Sequence, residues 1–410
     1  MSNPKQWTVL VWMAGDNDLE EYALGDLNEL KKVGSTADVD VVAQIDLHRD
    51  DHTRRYHVRH GTAPADDVVA DLGETNTGDP AVAADFFAWG ISTYPARHYL
   101  AVLWNHGSGI DEEDVYRRAR AIGITVERHV EPAPDRVPRA RARTIASRRF
   151  RRALFSTTIE RAISTRAIAY DDTSRDFLDN LELKRVLATV KQKARRTLDV
   201  VGFDACLMSM IEIVYELRPY ARFIVGSQEV EPGDGWPYDQ VLRALANDPG
   251  MSPERLGATI VDRYVASYRK SAVTLACLDT SRVDEAAQAA DRLAGALVTA
   301  MKQPVEYAAV TRSVRSAQHY DLPDFVDVCD FADQVRQRSR NAKVKSAAGA
   351  MIEAVCDAGA GLVRREKHKG DGVARSHGVS VYFPRGEVTV AYDRLAFAKD
   401  TRWDEFLKKL

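Results

Sequence analysis

Short, uninterrupted apolar runs rich in β-branched residues recur along the first 280 residues and limit what this chain can fold into. Runs that do not alternate with polar residues are typical of strands covered on both faces of a sheet. Stretches with helical periodicity separate most of the runs, and this alternation predicts an α/β fold around a mainly parallel sheet. The runs are Trp7–Met13, Val39–Ile45, Tyr99–Trp104, Val200–Phe203, Phe223–Val225 and Val273–Leu278.

The helical patterns divide the chain into two sections. Those of the first section lie between the apolar runs, at Leu19–Val33, Val82–Thr93, Leu181–Arg196, Tyr238–Leu245 and Pro253–Ser267. Residues 281–410 are mostly helical, with long patterns at Val283–Lys302 and Asp330–Val355. We therefore expect an α/β domain over residues 1–280 and a helical section over 281–410 that returns a strand near 378–384 to the core.

Composition excludes several classes of protein. The 410 residues carry a formal net charge of −3, so the whole molecule shows no strong signal for nucleic acid or membrane. No apolar stretch reaches the roughly 18 residues that would span a bilayer. The N-terminal residues lack the pattern of a signal peptide, which predicts a cytoplasmic location, although export by another route stays open.

The four cysteines, Cys206, Cys277, Cys329 and Cys356, form no CxxC pair. A zinc site built from sulfur ligands is therefore not expected. Four cysteines are too few for a disulfide scaffold in a chain of this length, so the pattern predicts a reducing compartment in which most of them are small buried hydrophobic residues.

An unusually basic segment spans residues 117–166, with fourteen arginines, no lysine and four acidic residues. Three prolines interrupt it, so we predict a solvated loop over about 111–170. A non-enzymatic alternative is that this loop binds nucleic acid through phosphates. Its aromatic residues are few, Phe150 and Phe155, so base stacking has little support and nucleic acid is the disfavoured partner.

Two predicted strands are followed by residues that could take part in catalysis. The run ending at Trp104 is followed by Asn105, His106 and Gly107, and the run ending at Phe203 is followed by Asp204 and Cys206. The carboxyl ends of neighbouring parallel strands meet at one edge of a sheet, where α/β proteins bind their ligands. We therefore expect His106 and Cys206 to lie close together.

That pairing has a chemical logic. A cysteine acts as a nucleophile in its thiolate form, and a nearby imidazole accepts the thiol proton. A helical pattern following Cys206 would favour the thiolate further. The backbone N–H groups of Gly107 and Cys206 are candidates for an oxyanion hole. The pattern alone leaves open that Cys206 is a buried core residue and His106 a structural one.

At these residues the sequence resembles the clostripain-like cysteine peptidases, peptidase family C11, of the clan that includes caspases, legumains and gingipains. The AsnHisGly turn at 105–107 and AspAlaCysLeuMet at 204–208, with Glu212 beyond it, match the family's two catalytic motifs. Further matches occur in order along the chain, at 7–20, 171–183, 227–238 and 378–384.

The resemblance implies a caspase-like three-layer sandwich and a cysteine endopeptidase that cuts proteins or peptides after Arg or Lys. It makes His106 the base and Cys206 the nucleophile. Asp204 would be the acidic floor of the pocket for the basic side chain, with Asp234 as a second candidate. The chemistry requires no metal, and the resemblance leaves room for calcium as a structural or activating ion. A cysteine hydrolase of the same fold that acts on a non-peptide amide is the alternative.

The family is also activated by cleavage between the histidine and cysteine strands, the interval that contains the basic loop. The resemblance therefore predicts self-cleavage after an arginine of this loop. The candidate sites are Arg139, Arg141, Arg143, Arg148, Arg149, Arg151 and Arg152. The loop is longer and more basic than the family pattern, so the residues do not single out one site.

Overall fold

The computed structural model of the chain describes residues 4–16, 19–50, 52–105, 125–126, 149–150, 180–357, 359–384, 386, 388 and 392–410. A sheet of nine strands runs through its centre. The strands of the described part are β1 Lys5–Gly15, β2 Val39–Leu47, β3 His52–His57, β4 Val68–Asp71, β5 Ala96–Trp104, β6 Thr125–Val126, β7 Arg149–Phe150, β8 Leu198–Asp204, β9 Ala221–Gly226, β10 Val273–Asp279, β11 Phe325–Asp327, β12 Val363–Lys369 and β13 Ser380–Tyr382.

The strand order across the central sheet is β12-β10-β9-β8-β5-β1-β2-β3-β4. The five strands in the middle, β9, β8, β5, β1 and β2, pair in parallel. Each outer strand is antiparallel to its inner neighbour, so β3 and β10 run opposite to the five middle strands, whereas β4 and β12 run in the same direction as them. All six apolar runs of the first section lie within central strands, which confirms the predicted mainly parallel α/β fold.

Helices cover both faces of this sheet. Side chains on β1 show why: Trp7, Val9 and Val11 enter one buried cluster, whereas Leu10 and Trp12 enter the other. A strand buried on both faces reads as a continuous apolar run. The helices are α1 Glu20–Lys31, α2 Pro80–Thr93, α3 Asn180–Ala194, α4 Ile211–Leu217, α5 Tyr238–Asn247, α6 Pro253–Ser267, α7 Val283–Ala300, α8 Pro304–Ser316, α9 Val328–Arg338, α10 Ala342–Cys356, α11 Ala396–Asp400 and α12 Trp403–Leu407.

The C-terminal section differs from the predicted pattern in two details. The helical pattern at Asp330–Val355 is two helices, because Asn341 caps α10 by accepting bonds from the N–H groups of Lys343 and Val344. The strand expected near 378–384 is β13, which is buried but pairs with β11 in a separate two-stranded sheet. The strand that this section adds to the central sheet is β12. Its sequence is basic, so it forms no apolar run that would predict a strand.

The cysteines also differ from expectation. Cys329 of α9 and Cys356 at the end of α10 form a disulfide, so the prediction that the cysteines are reduced is wrong for this pair. Cys206 and Cys277 lie outside this disulfide and are buried. Among the described helices, none is both long and apolar enough to cross a membrane.

Candidate active site

The two strand ends singled out by the sequence are neighbours in the sheet. Strand β5 pairs in parallel with β8, and Trp104 lies opposite Asp204 in the register. The backbone N–H of Asn105 donates to the carbonyl oxygen of Asp204 at 3.3 Å. Asn105 and Cys206 therefore leave the sheet at the same edge. His106 and Gly107, which follow Asn105, lie outside the described residues.

Cys206 sits in a tight turn directly after β8. Its neighbour Leu207 has a φ of 62°, a left-handed conformation that a non-glycine residue adopts only when its surroundings enforce it. The turn is tied to the segment after β9, because the Leu207 N–H bonds the Glu229 carbonyl and the Ser209 N–H bonds the Ser227 carbonyl. Cys206 is 6% exposed, and its Sγ accepts the N–H of Glu231 at 3.2 Å.

The helix expected to follow Cys206 begins later than predicted. Helix α4 starts at Ile211 and has only seven residues, so Cys206 does not lie in its first turn. The effect of a helix terminus on charge falls off within that turn. The prediction that the N-terminal end of a helix stabilises the Cys206 thiolate was therefore wrong. The segment 227–231, which holds the turn, lies beside the sulfur instead.

Asp204 is buried, with 5% of its surface exposed. Its carboxylate accepts the Tyr238 hydroxyl at 2.7 Å and the Trp236 backbone N–H at 3.3 Å. Gly235 covers it so closely that a Cβ there would lie 3.1 Å from both carboxyl oxygens. Burial raises the pKa of Asp204 to about 6, since a charged group is disfavoured away from water.

Asp234 lies on the other side of Gly235 and is exposed. It lines a cavity of about 460 Å³ together with Asp26 and Glu29 of α1. Asp26 is buried and accepts the indole N–H of Trp104 at 2.7 Å. Burial, and after it the charge of Asp204, holds the pKa of Asp26 well above its usual range. The structure thus separates the two predicted substrate-binding carboxylates into one buried and one exposed group.

Glu231 is a neighbour of Cys206 that the sequence analysis did not single out. It follows β9, and its backbone N–H donates a hydrogen bond to Cys206 Sγ, while its carboxyl group is buried beside Asp204. The signal available in the sequence was a glutamate within the segment 227–238 that resembles the family. The spacing of Glu231 in the sequence does not show that it contacts Cys206, because that contact depends on how the turn after β8 packs against the segment after β9.

The self-cleavage candidates fall almost entirely outside the described residues. Arg139, Arg141, Arg143, Arg148, Arg151 and Arg152 are among the residues without a description. Arg149 lies in strand β7, which pairs in parallel with β6.

One group of described carboxylates has the spacing of a metal site. Oxygens of Asp16, Asp46 and Glu74 lie within 4.8 Å of one another, at the ends of β1 and β2 and in the loop after β4. Asp16 also contacts His48 Nδ1 at 2.6 Å, and Asp46 accepts the Thr53 hydroxyl at 2.8 Å. Oxygen ligands of this kind suit a hard cation such as calcium.

A buried cysteine at the carboxyl edge of a parallel sheet, beside the strand that leads into Asn105, is an arrangement typical of α/β cysteine hydrolases. The model of the Clostripain family matches residues 11–127 and 156–409. The chain therefore belongs to the clostripain family, a family of cysteine peptidases.

The chain is also similar to a characterised protein and to solved structures. Clostripain of Hathewaya histolytica is 24% identical over 276 residues, which cover 60% of this chain and 43% of that protein. The chain thus spans less than half the length of this relative.

Solved structures share the fold. A secreted C11 cysteine protease of Bacteroides thetaiotaomicron, in complex with an irreversible peptide inhibitor, has a TM-score of 0.64 at 19% identity and covers 98% of this chain and 99% of its own. An inactive zymogen C11 protease of Parabacteroides distasonis has a TM-score of 0.63 at 18% identity, with the same coverage.

Proposed function

We propose that this chain is a cysteine endopeptidase that cleaves proteins or peptides after Arg or Lys. The observation that carries the proposal is the placement of Cys206 on a strained turn at the sheet edge, two residues beyond Asp204 and next to the strand that leads into His106. Family membership supports the class of reaction, and the acidic groups Asp204 and Asp234 support the preference for a cationic side chain.

In this proposal the Cys206 thiolate attacks the carbonyl carbon of the scissile bond. Negative charge passes to the carbonyl oxygen, where the N–H groups of Gly107 and Cys206 donate. His106 takes the thiol proton and gives it to the leaving amine, which leaves a thioester on Cys206. His106 then accepts a proton from the attacking water, whose oxygen bonds to the acyl carbon. The thioester C–S bond breaks, the product leaves as its carboxylic acid, and the departing sulfur takes the proton from His106 to restore the thiol.

Two pairs of variants test the assignment with small arginyl, lysyl and alanyl amides. We expect Cys206→Ala and His106→Ala to abolish turnover, whereas Cys277→Ala, at the other buried cysteine outside the disulfide, retains it. Asp204→Asn and Asp234→Asn should lower kcat/KM for the basic amides by about 10-fold or more, the equivalent of one charge-assisted bond. Turnover by Cys206→Ala, or equal rates on alanyl and arginyl amides, would contradict the proposal.

We also propose that the enzyme activates itself by cutting the Arg-rich segment. The arginines of residues 139–152 would be substrates for the same basic specificity. Intact-mass analysis of the wild type beside Cys206→Ala tests this step. A cut after one of these arginines in the wild type alone supports it, and two intact chains or two identical cuts would contradict it.

We propose that bond cleavage requires no metal, because the nucleophile and the base are both side chains of the protein. A calcium ion, where bound, would act through structure, and the Asp16–Asp46–Glu74 group is the described place with suitable ligands. Retained turnover after dialysis against EDTA is the expected result.

The Cys329–Cys356 disulfide supports an oxidising compartment, since such bonds are rare in the cytosol. The solved relative from Bacteroides thetaiotaomicron is described as secreted. The cytoplasmic location expected from the sequence is therefore not supported, and we propose a location outside the cytoplasm.

A further inference from the structure

Glu231 is held against the candidate nucleophile by its own backbone. Its N–H donates to Cys206 Sγ at 3.2 Å, and its carbonyl oxygen lies 3.8 Å from the same sulfur. The residue is only 9% exposed. The position of the Glu231 backbone therefore fixes where its carboxyl group lies relative to Cys206.

The carboxyl group of Glu231 occupies a costly position. Within the described residues, neither of its oxygens forms a hydrogen bond to an N–H or O–H group, and no Lys, Arg or His forms an ion pair with it. The indole N–H of Trp236 is a neighbour that does not reach full hydrogen-bond geometry. A buried carboxylate with neither a cation nor a donor would be strongly destabilising.

The group that the Glu231 carboxyl does meet is the carboxyl group of Asp204. Two carboxylates repel each other, but a carboxylic acid donates a strong hydrogen bond to a carboxylate. Among the described residues, the other titratable groups around Glu231 are the Cys206 thiol and three tyrosines. These are Tyr238, Tyr264 and Tyr268. None of these described groups is a cation, so a proton shared between the two carboxyl groups neutralises one of the two charges.

The surroundings decide which carboxyl group holds the proton. Asp204 already accepts the Tyr238 hydroxyl and the Trp236 N–H, and both bonds favour its charged form. Glu231 has no comparable donors. Burial, and after it the charge of Asp204, raises the pKa of Glu231 well above its usual range, whereas the pKa of Asp204 rises only to about 6.

We propose that Glu231 acts as a neutral carboxylic acid that donates its proton to a hydrogen bond with the Asp204 carboxylate and keeps this acidic pair at a single negative charge beside Cys206. Glu231 is thus a positioning residue for the substrate's cationic group, which meets one oriented carboxylate. The single charge also limits the repulsion that would oppose formation of the Cys206 thiolate. This role in recognition rests on the proposed function.

Two replacements separate a neutral donor from an ionised acceptor. Glutamine has the size of glutamate and its amide can donate to Asp204, whereas leucine cannot. We expect Glu231→Gln to keep kcat/KM for an arginyl amide near the wild-type value at pH 7. Glu231→Leu should lower it by about 10-fold, as for the loss of a bond to a charged group, and should move the acid limb of the pH profile to higher pH. Glu229→Gln is the matched control, because its carboxylate binds the Asp321 N–H instead.

Infrared difference spectroscopy tests the proton without any substrate. The wild type minus Glu231→Gln spectrum at neutral pH should contain the carbonyl band of a protonated carboxylic acid. The corresponding spectrum for Glu254→Gln, whose carboxylate pairs with Arg364 at 3.0 Å, should lack it.

Absence of this band in the Glu231→Gln difference spectrum, or a loss of turnover in Glu231→Gln as large as in Asp204→Asn, would overturn the proposal, because Glu231 would then act as a carboxylate. A wild type that turns over no basic amide would overturn the proposed function instead, and the infrared result alone would then decide the state of the pair.

Discussion

Gly235 lies between the two carboxylates predicted to recognise a basic side chain. Its φ of +55° belongs to the left-handed region, and a Cβ there would press on Asp204. The residue therefore has two separate reasons to be glycine, one in the backbone and one in the fit of the loop over the carboxylate. Sequence reasoning selected Asp204 and Asp234 but could not tell the buried one from the exposed one.

We predict that Gly235→Ala lowers both stability and kcat/KM for an arginyl amide. The backbone strain alone destabilises by about 1 kcal/mol. The added Cβ also contacts Asp204 and would displace its carboxylate, and we expect this displacement to lower kcat/KM. The measurements are unfolding in urea and steady-state kinetics.

Gly61→Ala is the matched control, because Gly61 has a φ of +68° and nothing within 4 Å of its added Cβ. It should show the loss of stability and keep kcat/KM. Equal kinetic effects in the two variants would mean that the contact with Asp204 has no role in the reaction.

Helix α4 connects the turn of Cys206 to the C-terminal section. Glu212, in its first turn, accepts the Tyr382 N–H of β13 at 2.9 Å and the Tyr392 hydroxyl at 3.3 Å. Burial raises the pKa of Glu212 to about 7. The short helix is thus fixed by a buried acid whose partners come from residues about 170 positions away, which no local pattern could reveal.

We predict that Glu212 makes stability fall as pH rises. Its folded pKa is raised above its usual value of 4.5, so its protonated form stabilises the fold below about pH 4.5, and that contribution is lost as pH rises to 7. The shift corresponds to at most about 3 kcal/mol. Glu212→Gln, which keeps the acceptor oxygen, should match the wild type at pH 5 and be more stable at pH 8.

Urea unfolding at the two pH values measures this difference, with the exposed Glu285→Gln as the control. A Glu212→Gln variant with the same pH dependence as the wild type would show that Glu212 stays ionised in the folded protein.

Across the whole molecule, the C-terminal section is joined to the α/β core by strand and helix contacts and is closed on itself by a disulfide. Strand β12 extends the central sheet, and β13 lies beside the turn of Cys206 through a bridge between Met210 and Ser380. The disulfide links α9 to α10 over a separation of 27 residues. The C-terminal section therefore packs against the segment that follows Cys206 and stabilises it.

We predict that reduction of this disulfide destabilises the molecule. A closed loop of this length contributes about 3 kcal/mol by restricting the unfolded chain. Cys356→Ser should lower the free energy of unfolding by a similar amount, and dithiothreitol should affect the wild type but not the variant. Insensitivity of the wild type to reductant would contradict the structural role.

The sequence by itself determined the order of the central strands along the chain and the sheet edge at which Asn105 and Cys206 lie. These follow from local information, since a buried strand is a continuous apolar run and the residues after its carboxyl end lie at the binding edge. The tertiary structure decided that Asp204 is covered, that Glu231 reaches Cys206, that β12 joins the sheet and that Cys329 meets Cys356. Each of these depends on contacts between segments far apart in the chain, and the energy of such a contact is set by burial and by partners that no local spacing contains.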